Sequence, residues 1–556
     1  MRIAFLTFEF PDARPGGVGS YTLKCARALA ASGHEPHIFT LAVPQSARRM
    51  LPAGVHLHEV RDVAQRVESG ALPGALAAVA MMGTQATYKL LVGTLLCDAL
   101  RSEHQAHPFD IVEAAECEGL ALPLIMRPML NLPVVVQIHL GYAANSFGNG
   151  VGPEERDHLA EAYELASIVG ADAICAATQG VVDVTRKLCP FSREAEIIPY
   201  PVECPATQDI SPAPADGAAL FVGRLQRRKG CAVLASAADI FLRRNPGATV
   251  RIAGSDTRIG ANGQSMLEQM IASIDPSLRG RFIYLGELSQ QDLAREIDAC
   301  RFQVVPSVVE NFANTAVDAM ARGRLILYGG DTGLDEVVGD AGIRVWPLAP
   351  AALADQMEFA WRNSEAVESY GHRAVERVRT RFDPMRVSTA RIKFYERVIS
   401  GNAVPVRQWD ALSGPQIQEI LRATISQMSV TVGLPPDIPT PGSLLTARLT
   451  AMAARLKRPP KVWLFGAGRF TLRLLGERHR WESLGLSLAG IVDDHQRFAQ
   501  SPDWLGFTVK SPEALCGAIG QGLGVDAIIL STDTLQAVFR ERTECFVKLG
   551  IEVSTL

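Results

Sequence analysis

The stretch RFQVVPSVVENFANTAVDAMARGRLILYGG, from Arg301 to Gly330, carries the clearest fold signal in the chain. Its apolar run 302–305 indicates a short buried strand, residues 316–321 have the pattern of a helix, and 325–328 form a second apolar strand. Strand, loop, helix and strand in this order are typical of a parallel α/β sheet. In such sheets ligands bind at the carboxyl ends of strands, beside helix N-termini.

The loop after the first of these strands carries polar groups that suit such a ligand. Glu310 lies at the strand end, and the backbone N–H groups of Asn314 and Thr315 begin the helix, where they can hold an anion. Asp318 lies on the first turns of the helix, where a carboxylate can accept hydrogen bonds from sugar or ribose hydroxyls. The alternative is an ordinary βαβ unit with an acidic residue near its helix start.

This loop resembles a motif of the retaining glycosyltransferases of family 4, which have the GT-B fold. The family pattern is P-S-x-x-E-x-F-x-N-x-x-x-E-A-M-A-x-G, and the chain matches it at Pro306, Ser307, Glu310, Phe312, Asn314, Ala319, Met320, Ala321 and Gly323. It differs at Asp318, where the family usually has Glu, and at Ala313, where it usually has Gly. The resemblance implies that Glu310 binds the sugar, Asp318 the ribose, and Phe312, Asn314 and Thr315 the rest of the donor.

A basic loop, GRLQRRKG at 223–230, follows the apolar strand 219–222. Arg224 offers a fork of N–H donors and Lys229 a mobile point charge. Together they suit a diphosphate whose negative charge rises as a glycosidic bond breaks, with solvated surface cations as the alternative. The loop resembles the family motif G-R-L-x-x-x-K-G, which implies that Arg224 and Lys229 hold the nucleotide diphosphate.

The N-terminal residues predict the opening of another doubly wound domain, with a strand at 3–8, a glycine-rich loop and a helix at 21–32. Gly16, Gly17 and Gly19 let the backbone approach a ligand at the helix N-terminus, with a plain tight turn as the alternative. The loop is similar to the family's G-G-x-G, which implies that it lies near the donor diphosphate and the acceptor.

His139 directly follows the apolar strand 134–138 and is therefore predicted to face the cleft between two domains. There it can bind hydroxyls of the transferred sugar or orient the acceptor, and the alternative is a structural, hydrogen-bonded histidine. Family members often carry a histidine at the matching place, so we predict a functional role. Glu116 and Glu118 are further acceptor-side candidates, with a solvated pair as the alternative.

A third α/β unit begins at Lys461 with the sequence KVWLFGAGRFT. Gly466 and Gly468 fit a dinucleotide fingerprint, and Asp493 follows the next strand, where a ribose-binding acid belongs. The pattern predicts a small Rossmann-like domain that binds a nucleotide or serves as a docking module. No Tyr-x-x-x-Lys pair follows, so epimerase chemistry lacks its usual acid and base.

The predicted architecture is α/β, with two Rossmann-like doubly wound domains facing a cleft in the GT-B arrangement and a third small Rossmann-like domain. The predicted boundaries are 1–205 for the acceptor-side domain, 206–400 for the nucleotide-sugar domain, 401–459 for a helical, proline-rich connector and 460–556 for the last domain. The resemblance implies that the helix before residue 400 packs back on the first domain.

Composition narrows the class of protein. The 556 residues suffice for three or four domains, at about 100–200 residues each. A net charge of −4 argues against nucleic acid as a partner, and ten cysteines without a C-x-x-C pair favour neither a zinc ribbon nor a disulfide framework. We predict a cytoplasmic protein, which can form oligomers.

The apolar run 71–88 falls short of the about 20 residues of a membrane span but allows peripheral contact with the inner membrane face.

These features predict a glycosyltransferase that moves a hexose from a nucleotide diphosphate sugar to a hydroxyl acceptor on a glycan, lipid or protein. The resemblance implies retention at the anomeric carbon, and the cations of the basic loop can replace a metal, so no metal or other cofactor is expected. One alternative is a non-catalytic sugar-nucleotide sensor or scaffold, suggested by Ala313, Asp318 and the Tyr200-Pro201 pair. The other is an NAD-dependent sugar-nucleotide oxidoreductase that uses the C-terminal domain.

Overall fold

A computed structural model of the protein describes most of the chain. The described residues are 1–11, 16–61, 85–126, 132–152, 158–258, 264–330, 333–401, 441–465, 482, 484–492, 503–504, 507–530, 544–549 and 551–555. They belong to two compact units, one within Met1–Asp62 and Val92–Ile417 and the other within Val63–Leu91 and Gln418–Leu556.

The first sheet of the larger unit has seven parallel strands. They are β1 (Arg2–Leu6), β2 (Glu35–Leu41), β3 (His56–Val60), β4 (Ile111–Ala115), β5 (Val134–Ile138), β6 (Ala173–Ala176) and β7 (Glu196–Ile197). Their order across the sheet is β3-β2-β1-β4-β5-β6-β7. This is the doubly wound order, in which a ligand crevice opens where the chain changes direction, between β1 and β4.

The second sheet of the same unit repeats this topology with six parallel strands. They are β8 (Ala218–Val222), β9 (Val250–Ala253), β10 (Phe282–Gly286), β11 (Cys300–Val305), β12 (Leu325–Tyr328) and β13 (Ile343–Arg344). The order β10-β9-β8-β11-β12-β13 makes β8 and β11 direct neighbours at the point of reversal. The loops that follow these two strands must therefore meet at one edge of the sheet.

Helices connect the strands. Their bounds are Gly17–Ala31, Gln45–Arg48, Gln85–Ala106, Leu122–Met126, Tyr142–Gly148, His158–Gly170, Gln179–Leu188, Cys231–Arg244, Met266–Ala272, Gln290–Ala299, Asn314–Ala321, Gly333–Val337, Pro350–Arg362, Ser364–Arg381 and Pro384–Ile399. Local sequence explains many of their starts. The Asp383 side chain accepts a hydrogen bond from the Arg386 N–H, and Pro384 occupies the first turn, where its missing N–H costs nothing.

The last of these helices, Pro384–Ile399, lies against the helix Gly17–Ala31 and reaches the first sheet through a buried polar cluster. One oxygen of Glu113, on β4, accepts hydrogen bonds from Arg391 at 2.6 Å and Tyr395 at 2.7 Å. The other accepts one from Tyr21 at 2.6 Å. The chain thus returns from the second sheet to pack on the first.

The smaller unit contains a third six-stranded sheet, parallel except for one antiparallel edge pair. Its strands are β14 (Val462–Phe465), β15 (Leu488–Val492), β16 (Asp503–Trp504), β17 (Phe507–Lys510), β18 (Ala527–Leu530) and β19 (Glu552–Thr555), in the order β16-β17-β15-β14-β18-β19. Its helices are Pro441–Leu456, Pro512–Gly520 and Glu544–Lys548. Gly466, Gly468 and Asp493, the predicted nucleotide-binding residues, lie outside the described residues.

The α/β prediction is confirmed, and several element bounds are corrected. The helix predicted at 21–32 begins at Gly17, so Gly17 and Gly19 lie in its first turn and not in a loop. Sequence reasoning missed the strands β13, β16, β17 and β19 because none of them is a continuous apolar run. Most of the apolar run 71–88 lies outside the described residues. Among the helices that are described, none combines the length and apolar character needed to cross a bilayer.

Replacing Arg391 with Met should lower the free energy of unfolding by about 3–5 kcal/mol, because it leaves the buried Glu113 carboxylate without its cation. Arg397→Met, on the same helix, is the matched control. Arg397 pairs with Glu196 at 2.9 Å on the surface, so its loss should cost at most about 1 kcal/mol. Urea unfolding of the full chain measures both values, and equal effects would contradict the role of the cluster.

Candidate active site

The loops after β8 and β11 meet as the topology requires, and a buried ion pair joins them. The ammonium of Lys229 donates a hydrogen bond to the carboxylate of Glu310. Ser307 donates a second one to the same oxygen at 2.9 Å. The Glu310 side chain is only 7 % exposed, so a charge there requires these partners. The structure thus brings together two residues predicted from separate motifs.

The electrostatics of the pair follow from its burial. Burial by itself raises the pKa of Glu310, but the charges of Lys229 and Arg228 and the hydrogen bonds outweigh it and hold that pKa below its usual value. Burial lowers the pKa of Lys229, although Glu310 acts in the opposite direction. Glu310 is therefore an ionised carboxylate at neutral pH and an anchor for positive charge.

Arg228 is a site residue that sequence reasoning missed. Its side chain is buried, its Nη1 lies 3.5 Å from Glu310 Oε1, and within the described part of the chain its Nε and Nη1 donate no hydrogen bond. Its backbone N–H donates to Asn149, and its carbonyl accepts from Val308. The run of three cations 227–229 was visible in the sequence, but no pattern within it shows which cation turns inward.

Arg224 lies beyond the end of β8 and is exposed. Burial is the main cause that lowers the pKa of Arg228 and of Lys229, and the positive charge of Arg224 lowers both further. Gly230 makes the close packing of the loop possible. Its φ is +72°, and a Cβ there would lie 1.9 Å from the carbonyl oxygen of Pro306. The loop thus concentrates three positive charges, and the exposed one, Arg224, is accessible to an anionic ligand.

The helix Asn314–Ala321 begins beside this cluster. The backbone N–H groups of Asn314 and Thr315 donate no hydrogen bond to any described residue, so they can bind an anion. The Thr315 hydroxyl contacts the Val222 carbonyl at 3.4 Å, which places the helix start at the end of β8. Ala313 precedes the helix with φ +48° and ψ 64°, a left-handed conformation that costs about 1–2 kcal/mol for a residue with a Cβ.

Asp318, the predicted ribose ligand, pairs with Lys24 at 3.0 Å. Lys24 belongs to the helix Gly17–Ala31 of the first half, so this pair links the two halves of the larger unit. Gly17 faces the same helix, because a Cβ there would lie 4.0 Å from Asn314 Nδ2. A ribose bound at Asp318 would share that carboxylate with Lys24.

The glycine-rich loop holds a carboxylate of its own, which sequence reasoning also missed. Glu9 accepts hydrogen bonds from the N–H groups of Val18 at 2.8 Å and Gly19 at 3.1 Å. A Cβ at Gly16 would lie 2.1 Å from the Glu9 carboxylate, so a larger residue there would displace that carboxylate. Glu9 follows the predicted strand 3–8, but nothing in the sequence indicates that it pairs with the N–H groups of Val18 and Gly19. It satisfies two N–H groups that the sequence predicted to face a ligand.

His139 lies buried directly after β5, and its ring contacts the hydroxyl of Tyr200. The same hydroxyl accepts a hydrogen bond from Asn311 at 2.8 Å. The Tyr200 ring also packs on Tyr21 and Phe312, with ring centroids 4.4 and 4.7 Å apart. Tyr200 therefore joins the first half to the Glu310 loop.

Burial sets the protonation of His139. It lowers the pKa of the imidazole to about 3, assisted by the charge of Arg391, so the ring is neutral at neutral pH. The backbone N–H of His139 donates to Glu116, whose own pKa burial raises to about 7. Glu116 is fully buried and so is not a solvated residue, whereas the side chain of Glu118 lies outside the description.

Two family models match the chain. The first, described as a glycosyl transferase 4-like domain, covers residues 16–201, and the second, glycosyl transferases group 1, covers residues 217–363. Together they span more than half of the chain. Neither extends beyond residue 363.

Curated relatives support the same family. A glycogen synthase of Mycobacterium tuberculosis is 24 % identical over 419 residues, which are 73 % of this chain and 97 % of that protein. A D-inositol 3-phosphate glycosyltransferase of Nocardia farcinica is 26 % identical over 401 residues, which are 67 % of this chain and 84 % of that protein.

Solved structures share the fold. A sucrose-phosphate synthase from Thermosynechococcus elongatus superposes with a TM-score of 0.55 at 18 % identity, over 72 % of this chain and 99 % of that one. HepE from Anabaena, in complex with UDP and glucose, gives 0.52 at 15 % identity, over 71 % and 99 %. The predicted GT-B fold is confirmed.

Replacing Ala313 with Gly should stabilise the protein by about 0.5–1 kcal/mol, because glycine adopts the left-handed conformation without a Cβ clash. Ala321→Gly, at the last residue of the following helix, should instead destabilise it by about 1 kcal/mol. Thermal denaturation measures both changes. A loss of stability in Ala313→Gly would show that the loop is not strained as described.

The acid sensitivity of stability should depend on His139. Its pKa is about 3 in the folded state and 6.5 in the unfolded chain, so unfolding takes up a proton between these pH values and acid destabilises the folded state. From pH 7 to 5 the wild-type protein should lose about 2 kcal/mol through this residue. The stability gap between wild type and His139→Asn should therefore narrow by that amount in urea unfolding, and a constant gap would contradict a buried neutral imidazole.

Proposed function

Because the chain belongs to the group 1 glycosyltransferases, which have the GT-B fold, we propose that it transfers a hexose from a nucleotide diphosphate sugar to a hydroxyl acceptor. The observation that carries the proposal is the pairing of Arg228 and Lys229 with the buried Glu310, beside the exposed Arg224. This cluster lies where the loops of β8 and β11 meet, at the ligand-binding edge of a doubly wound sheet.

In the proposed reaction Arg224 and Lys229 bind the diphosphate, and the N–H groups of Asn314 and Thr315 assist them. The bond between the anomeric carbon and the phosphate oxygen breaks, and negative charge moves onto the diphosphate. The preformed cations stabilise that charge without reorganising. Because they can supply the positive charge that the leaving group needs, we propose that the transfer requires no metal ion.

Glu310 has two parts in this proposal. It keeps Lys229 in place through the buried ion pair, and it lies next to the position that the resemblance assigns to the sugar. Asp318 binds the ribose, and His139, neutral and held by Tyr200, positions the sugar or the acceptor. Phe312 belongs to the same loop as Glu310, and its ring packs against Tyr200 of the first half, which supports the loop.

We propose retention of configuration, by the same-face route that the family resemblance implies. The acceptor hydroxyl attacks from the face that the diphosphate leaves, and the departing phosphate oxygen takes the hydroxyl proton. Such a route needs no protein side chain as general base. The relatives' names point to different products, so the proposal extends only to a hydroxyl on a glycan, lipid or protein.

One observation favours a second candidate, a sugar-nucleotide sensor or scaffold. Asp318, shorter than the usual Glu, already pairs with Lys24 of the opposite half. A protein held in this way could bind a nucleotide sugar without turning it over. Calorimetry with UDP-glucose, ADP-glucose and GDP-mannose, followed by mass spectrometry of the products, separates binding alone from transfer. An oxidoreductase role for the C-terminal unit stays a prediction.

Replacing Arg224 with Met should lower kcat of transfer by about 10²- to 10³-fold, because the diphosphate loses one preformed donor. Arg224 is exposed, so the thermal midpoint should not change. Arg227→Met removes an equally exposed guanidinium three residues further along and is the matched control, with activity near that of the wild type. If both variants kept full activity, the assignment of the diphosphate to this loop would be wrong.

Lys229→Ala is a less informative variant. It should abolish transfer, but it also leaves the buried Glu310 carboxylate with only Arg228 and Ser307 as partners and so lowers stability.

A further inference from the structure

A second cluster of titratable side chains lies at the other edge of the first sheet, where β2 and β3 begin. Glu35 and His37 alternate along β2 and therefore share one face, as His56 and His58 do along β3. The register places His37 beside His56. Two neighbouring strands thus bring three imidazoles and one carboxylate to the same face.

The distances in this cluster suit a small cation. Glu35 Oε1 lies 3.0 Å from His37 Nε2, and one ligand atom from each of Glu35, His37 and His56 lies within 4.8 Å of the others. The rings of His37 and His56 stack with centroids 4.5 Å apart. Metal–ligand bonds of about 2.0–2.2 Å put the donors of a tetrahedral site about 3.4 Å apart, which small side-chain rotations would achieve here.

His58 sets the orientation of His37. Nδ1 of His37 and Nε2 of His58 are 2.8 Å apart, so one of the two nitrogens carries the shared proton. With the proton on His37 Nδ1, the lone pair of His37 Nε2 points towards Glu35. A metal-binding imidazole is commonly held by such a hydrogen bond from its second nitrogen.

One neighbour of the cluster opposes metal binding. Arg2 lies 3.1 Å from Glu35 Oε1 and 3.3 Å from His37 Nε2 and would have to shift. Glu103 offers its guanidinium another partner, at 3.5 Å.

We propose that Glu35, His37 and His56 bind a divalent transition-metal ion of the zinc class, with His58 as a positioning residue. Two imidazoles and a carboxylate form a ligand set that zinc accepts, with a fourth position left for solvent. His56 and Glu35 are exposed, so an ion can enter from the surface. The site would fasten β2 to β3.

This site is separate from the proposed transfer reaction. β2 runs for seven residues, or about 20 Å, from Glu35 to the carboxyl edge of the sheet where the ligand crevice opens. The ion would therefore act on the stability of the first half and not on the sugar. Metal independence of the transfer and metal binding here are compatible.

The test is calorimetric titration of ZnCl₂ into the full chain after chelator treatment and removal of the chelator. The wild type should show a saturable site. Glu35→Gln and His56→Ala should each weaken it by more than about 100-fold, and His58→Ala by about 10- to 100-fold, the usual effect of losing an outer hydrogen-bond partner. His372→Ala, which removes an exposed histidine of the helix Ser364–Arg381, should bind as the wild type does.

A second readout does not depend on the heat of binding. Zinc should raise the thermal midpoint of the wild type and of His372→Ala but not that of His56→Ala, because only a ligand of the folded state stabilises it. Glu35 and His56 have exposed side chains, so without metal their variants should have the same thermal midpoint as the wild type. Absence of zinc binding in the wild type, or unchanged binding in Glu35→Gln and His56→Ala, would overturn the proposal.

Discussion

The buried carboxylate of Glu310 is the constraint on which the rest of the larger unit depends. A lone carboxylate in that position would be too costly to bury, so the chain must bring positive charge to it. Lys229 and Arg228 supply that charge from the neighbouring strand's loop. The pairing in turn requires the loop to pass within reach of Pro306, which only a glycine at residue 230 allows. One ion pair thus dictates two loop conformations and gathers the cations that a diphosphate needs.

The two halves of this unit are held together by polar contacts as well as apolar packing. Tyr200 contacts His139 on one side and Asn311 on the other, and Arg391 carries the last helix back to Glu113 on the first sheet. Each of these groups is buried, so each would be destabilising if its partner moved away. Polar contacts of this kind specify one relative arrangement of the halves more sharply than apolar packing alone. Tyr200 thereby links His139 to Asn311, the residue after Glu310.

Sequence reasoning found the α/β class and most strands because continuous apolar runs such as 134–138 mark buried parallel strands. It also placed Glu310, Lys229 and His139 in the loops that follow such runs. It missed Arg228, Glu9, Tyr200 and Lys24 because their roles depend on partners far away in the chain. Glu9 acts through Val18 and Gly19 of the following helix, and Lys24 through Asp318 of the other half. Neither hydrophobic periodicity nor motif spacing in the sequence indicates such long-range hydrogen bonds and ion pairs.

The central claim is that preformed cations at the meeting point of β8 and β11 bind a pyrophosphate. Calorimetric titration of the full chain with matched nucleotide pairs, UDP with UMP, ADP with AMP and GDP with GMP, tests it most directly. For the preferred base, the diphosphate should bind at least about 10- to 100-fold more tightly than the monophosphate, since each charge-assisted hydrogen bond is worth about 1.5–3 kcal/mol. Equal affinities within every pair, or no binding of any diphosphate, would contradict it.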